Sequence, residues 1–94
     1  MSKIKIEVNG ANSMNFYALL NEVNYRFEMV WSSTASTYIC SVYDQNGSVT
    51  LGRAMRLDQD IFGNIPNVGF LTVEGDEPTI ENFNVSCFFY YYEI

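Results

Sequence analysis

Apolar and polar residues alternate one for one from Tyr25 to Trp31. Tyr25, Phe27, Met29 and Trp31 fall on one side, Arg26 and Glu28 on the other. A period of two is that of a strand with one buried face. Ser32–Ser36 is small and polar and reads as a connection. Thr37–Tyr43, rich in β-branched and aromatic residues, reads as a second strand. Asp44-Gln45-Asn46-Gly47 follows: Asp opens a turn by accepting from backbone amides, and Gly47 tolerates a positive φ. A strand resumes at Ser48, which predicts a three-strand meander with Asp44–Gly47 as its tight turn.

The flanking segments extend this pattern. Ile4, Ile6 and Val8 alternate with Lys3, Lys5 and Glu7, an amphipathic strand ended by Asn9-Gly10. Met14–Leu20 is compatible with a strand or with a short helix capped by Ser13. The strand is favoured because Asn21–Asn24 resembles a hairpin turn leading into Tyr25. Arg53–Leu57 should continue the third meander strand through a bend at Gly52. Asp58–Asn67 reads as a loop whose Ile61, Phe62 and Ile65 pack it down onto one end of the fold. Val68–Val73 is the next strand, Gly75–Pro78 a sharp turn, and Val85–Ile94 the last strand. In that strand Val85, Cys87, Phe89 and Tyr91 share one face, and Phe88, Tyr90, Tyr92 and Ile94 share the other. Six or seven strands and no convincing long helix predict one all-β domain over residues 1–94. A small antiparallel β-barrel or a two-sheet sandwich would protect the strand edges. The expected core holds Phe27, Met29 and Trp31 with Ile4, Ile6 and Val42.

Composition changes this picture in one respect. The chain has 94 residues, of which 48% are hydrophobic and 16% aromatic. A domain this small buries roughly 60–65% of its unfolded surface, too little to hide so many rings. Some Tyr and Phe should therefore lie on a surface meant for a partner. A strand apolar on both faces needs either a second layer or another chain, so Phe88, Tyr90 and Tyr92 are the candidate interface residues. Phe62, on the Asp58–Asn67 loop, is a further one.

The net charge of −6 is unevenly spread: after Arg56 there are acids and no base. Nucleic-acid backbones and anionic membranes both require Lys and Arg, which argues against either as a partner. The start, MSKIKIEV, lacks a signal-peptide apolar run, and no stretch approaches the length of a membrane span. Synthesis in a cytoplasm is expected, with Cys40 and Cys87 reduced and buried.

Little in the chain suggests catalysis. With no His there is no Ser-His or Cys-His pair, no HExxH zinc site and no ordinary proton shuttle. Two cysteines are too few for a structural zinc site within one chain, and no Gly-rich phosphate loop is present. Asp58-Gln59-Asp60-Ile61-Phe62-Gly63 has Phe where a calcium loop needs an oxygen ligand. No catalytic, metal or cofactor residue is assigned. Trp31 with the tyrosines could form a sugar-binding platform, but the alternation with Phe27 and Met29 favours a core role.

The ordered features resemble a known family. Asn15-Phe16 leads to Leu19-Leu20-Asn21-Glu22, then to Tyr25-Arg26-Phe27 and Trp31. A strand ends in Asp44 with Gly47 closing the turn, and Arg56-Leu57 precedes an Asp-rich segment. Phe70-Leu71 precedes Asp76 and Pro78, and the chain ends in the aromatic strand Tyr90-Tyr91-Tyr92. This series resembles the small plug-type proteins of contractile-tail phage baseplates described for a cyanophage, along nearly the whole chain. The resemblance implies a compact β protein at the centre of a virion tail baseplate. Its partners would be hub and tail-tube proteins, and it would be oligomeric within the virion. Two other classes stay open: a carbohydrate- or receptor-binding module, and an acidic inhibitor mimicking nucleic acid.

Overall fold

The structure is a computed structural model that describes residues 3–8, 10–63 and 68–93. Its strands are β1 (Lys3–Ile6), β2 (Ser13–Leu20), β3 (Val23–Ser32), β4 (Thr37–Asp44), β5 (Gly47–Ala54), β6 (Phe70–Gly75) and β7 (Cys87–Tyr92), and no helix occurs among the described residues. They form two antiparallel sheets, β2-β3-β4-β5 and β1-β7-β6. The architecture is the sandwich of the two expected alternatives; among the described residues the sheets do not close into a barrel.

Local chemistry explains the meander. Ser13–Leu20 is a strand, and Asn21 and Glu22, both at positive φ (51° and 65°), form a two-residue turn that sets Leu20 opposite Val23. At the β4–β5 turn the Asp44 Oδ1 accepts the Asn46 amide at 2.7 Å, and Gly47 follows at φ 128°. The turn lies where the sequence put it. The ladder between β4 and β5 slips at Cys40/Val42 and Val42/Tyr43, with Gly52 at φ 60° and its amide given to Ser41 Oγ at 2.9 Å. The expected bend at Gly52 is thus a β-bulge. Beyond it β5 ends at Ala54 instead of continuing to Leu57. Leu57 has already crossed over and bridges Val73 of the other sheet in parallel.

The core lies between the sheets. Tyr25, Phe27 and Met29 of β3 and Tyr38, Cys40 and Val42 of β4 face Phe89 and Tyr91 of β7 and Leu71 and Val73 of β6, all of them buried. Phe27 meets Phe89 edge to face, with centroids 5.9 Å apart, and so joins the two layers. Burial raises the thiol pKa of Cys40 to about 12 and, helped by Asp76 and Glu77, that of Cys87 to about 11. Both cysteines are free thiols and behave as small core hydrophobes.

Two expected core residues are only half-buried, Ile4 and Trp31. Trp31 stands near the end of β3, where its ring packs edge-on against Tyr38 at 5.2 Å and stays only partly buried against the core. The last strand starts at Cys87, so Val85 is not on its inner face. Val85 lies in a turn, 74% exposed, because the Asn82 carbonyl gathers the amides of Val85, Ser86 and Cys87 and holds this segment out of the ladder. The strand expected at Val68–Val73 runs from Phe70 to Gly75.

Candidate interaction surface

β7 alternates CFFYYY, and its burial alternates with it: Cys87, Phe89 and Tyr91 are buried, while Phe88, Tyr90 and Tyr92 are half-exposed on the outer face. The register builds a row of rings there. Lys3 and Phe70 flank Tyr92, Lys5 and Thr72 flank Tyr90, and Glu74 lies opposite Phe88. Successive centroids along β7 are 6.4 Å and 6.5 Å apart. Phe70, 44% exposed, extends the apolar area onto β6.

The rings are partly covered by this chain's own cations. Lys3 Nζ lies 4.0 Å from the Tyr90 centroid and 5.5 Å from that of Tyr92, and Lys5 Nζ lies 5.1 Å from Phe88. Long stems over rings with the charge in water are the usual compromise for such a surface. Glu74 ties the row together: it pairs with Lys3 at 3.4 Å and accepts hydrogen bonds from the Tyr92 hydroxyl and from Thr72. Desolvation pushes the Glu74 pKa up, but the bonds from Tyr92, Lys3 and Thr72 outweigh it and hold the carboxyl below its ordinary range. The hydrogen bond to Glu74 raises the Tyr92 phenol. The result is an aromatic strip edged by two lysines and one carboxylate, suited to packing and hydrogen bonding.

Phe62, expected at the surface, belongs to the core. It is 1% exposed, with its ring centroid 5.7 Å from that of Tyr25 and 6.3 Å from that of Tyr91. The reason is Asp60. Its Oδ1 accepts the amides of Phe62 and Leu71, both at 3.0 Å, while the Ile61 amide binds the Leu71 carbonyl at 2.7 Å. The loop is thereby pinned to β6 and turns Ile61 and Phe62 inward, as the packing of the loop onto one end required. Ile65 lies outside the described residues. The Asp60 carboxylate thus serves as an acceptor for backbone amides.

A second surface was not singled out from the sequence. On the outer face of the larger sheet Tyr17, Arg26, Tyr43 and Ser48 stand in one cross-strand row. A hollow of about 400 Å³ there is lined by Tyr17, Asn24, Arg26, Tyr43, Asp44, Gln45 and Gly47. The Arg26 guanidinium sits 4.2 Å from the Tyr43 centroid and 2.8 Å from Glu28, which also accepts from the Tyr43 hydroxyl at 3.1 Å. The bonds from Arg26 and Tyr43 hold the Glu28 carboxyl below its ordinary range. The signal in the sequence was present, since Arg26 and Tyr43 are outward positions of strands already recognised. Their pairing depended on the register.

The family described as cyanophage baseplate Pam3 plug gp18 matches residues 1–93 of the chain. The chain belongs to this family. No curated protein matches it significantly. A baseplate plug is a structural component of a phage tail baseplate, and a small β sandwich with an aromatic face is consistent with such a part. The family match covers both sheets and both outer surfaces.

Proposed function

We propose that this plug acts without catalysis, by packing against hub and tail-tube proteins through the outer face of the β1-β7-β6 sheet. The observation that carries this reading is the half-exposed row Phe88, Tyr90 and Tyr92 with the exposed Phe70 beside it. The inner face of the same strand already supplies the core, so the outer rings add little to folding and much to a contact. Tyr is one of the residues from which interface hot spots are built, and its hydroxyl finds a polar partner when the ring is buried, while Phe adds apolar area. Lys3, Lys5 and Glu74 would form the polar rim. The protein would be made in the host cytoplasm and enter the virion as part of an oligomeric baseplate.

The test is the double variant Tyr90→Ser with Tyr92→Ser. It should melt close to the parent yet fail to enter tails, with losses of roughly 2 kcal/mol or more per hot-spot ring. Normal incorporation would refute the assignment. A collapsed melting curve would make the rings structural and refute it as well. A second reading, carbohydrate binding, has one specific support: the hollow of tyrosines and side-chain amides at Tyr17, Asn24, Tyr43 and Gln45. Glycan-array binding abolished by Tyr43→Ala would establish that reading, and no binding by the parent would remove it.

A further inference from the structure

We infer that the free edge of β2 pairs with the β2 edge of a second copy of this chain, extending the larger sheet across a symmetric dimer. An open strand edge is a template for another strand, and proteins blunt it with charge, shortness, bulges or cover. Three of the four edges here are blunted. β1 is four residues long and carries Lys3 and Lys5. β5 is interrupted by two register shifts and presents Arg53. β6 is covered by its own chain, through the Leu57–Val73 bridge and the bonds from Asp58 to Val73 and Ile61 to Leu71. β2 has none of these devices. It is eight residues long, SMNFYALL, with no charged residue and no proline, and its register with β3 is unbroken from Ser13↔Val30 to Leu20↔Val23.

The side chains along this edge also lack cover. Tyr17 and Leu19 are 67% and 69% exposed, and the inward-facing Met14, Phe16 and Ala18 are only half-buried, because the three-stranded layer is one strand narrower than the sheet it covers. A cleft of about 340 Å³ lined by Glu7, Met14, Asn15, Phe16 and Tyr17 opens beside them.

The geometry fits a second copy. Leu20 and Val23 close a two-residue turn and so form a hydrogen-bonded pair, and antiparallel ladders alternate from there. Ala18, Phe16 and Met14 therefore bond to β3, in step with the bond from Trp31 N to Asn12 O at 2.8 Å. Ser13, Asn15, Tyr17 and Leu19 aim their amides and carbonyls outward. An antiparallel pairing about Phe16 sets Ser13 against Leu19 and Asn15 against Tyr17 of the other copy, which satisfies every one of these groups in both chains. Phe16, stacked on Phe27 at 5.1 Å, would meet its own copy across the axis, and Met14 would meet Ala18. Charge points the same way. Two copies of a chain with net charge −6 repel, and β2 is the edge along which they approach with no charge on either strand.

This surface is separate from the aromatic face of β7, so its test is independent of the proposed function. Sedimentation equilibrium of the parent chain should give a concentration-dependent dimer. Asn15→Pro removes only an outward amide and leaves the β2–β3 ladder intact. Tyr17→Lys places two like charges at diagonal positions across the axis. Both variants should be monomeric at concentrations where the parent is dimeric. In the parent dimer the amides of Asn15 and Tyr17 should exchange slowly, and on dilution to monomer they should exchange fast. A parent that stays monomeric at millimolar concentration, a dimer that survives either folded variant, or Asn15 and Tyr17 amides left unprotected in the dimer would each overturn the inference.

Discussion

Asp60→Ala tests how the loop between the sheets is held. The carboxylate accepts two backbone amides, those of Phe62 and Leu71, each at 3.0 Å. Alanine leaves both donors without that acceptor. A hydrogen bond to a charged group contributes about 1.5–3 kcal/mol, and since the site is only part-buried, water recovers some of it, so the expected cost is about 2–4 kcal/mol. In a 94-residue domain each 1 kcal/mol lowers the melting temperature by roughly 4–8 °C. The variant should therefore melt at least about 10 °C lower. Asp60→Asn keeps an acceptor oxygen in place and should cost about 1 kcal/mol or less. Urea unfolding followed through Trp31, the single tryptophan, reads both. An Asp60→Ala transition within about 0.5 kcal/mol of the parent would refute the reasoning and assign the loop's position to the packing of Ile61 and Phe62 alone. Equal damage from Ala and Asn would show that charge, not acceptor geometry, is what matters.

Other expectations follow from the same structure. Glu22 holds φ at 65° in a turn that prefers Asn-Gly, so Glu22→Gly should stabilise by about 0.5–1 kcal/mol, seen as a higher urea midpoint; a lower one would contradict the turn assignment. Trp31→Ala should cost about 1–3 kcal/mol, below the roughly 3–5 of a fully enclosed aromatic, measured by thermal melting. Glu28 and Glu74 are held below the ordinary carboxylate range, so their contribution is complete above that range and is lost as pH falls through their folded values. A melting-temperature series into acid should fall less steeply for Glu74→Gln than for the parent.

The meander was legible because alternation is a local property that strand geometry uses directly. Tyr25, Phe27 and Met29 face inward as their spacing requires, and Asp44 and Gly47 each have one good use in a turn. The two-faced β7 was legible for the same reason. What the pattern could not carry was the arrangement of layers. Nothing in the spacing of Arg53–Leu57 says that the chain leaves one sheet at Ala54 and joins the other at Leu57. The sequence lets Phe62 either pack its loop down or face a partner, and its burial depends on Asp60 reaching Leu71, a contact set by tertiary structure. Trp31 and Ile4 were read as enclosed because alternation reports the face a residue is on, not whether a neighbour covers it. Val85 was placed in the last strand by its side-chain type, and the Asn82 carbonyl overrides that preference. The row Tyr17–Arg26–Tyr43 emerges only once three strands are in register.

The central claim is that the plug meets its neighbours through the outer face of β7. A photo-reactive phenylalanine analogue in place of Tyr90, with the same group in place of the exposed Glu81 as a control, tests it in intact tails. Irradiation should link position 90, and not position 81, to another baseplate protein, identified by mass spectrometry of the adduct. Links from position 81 with none from position 90 would contradict the account.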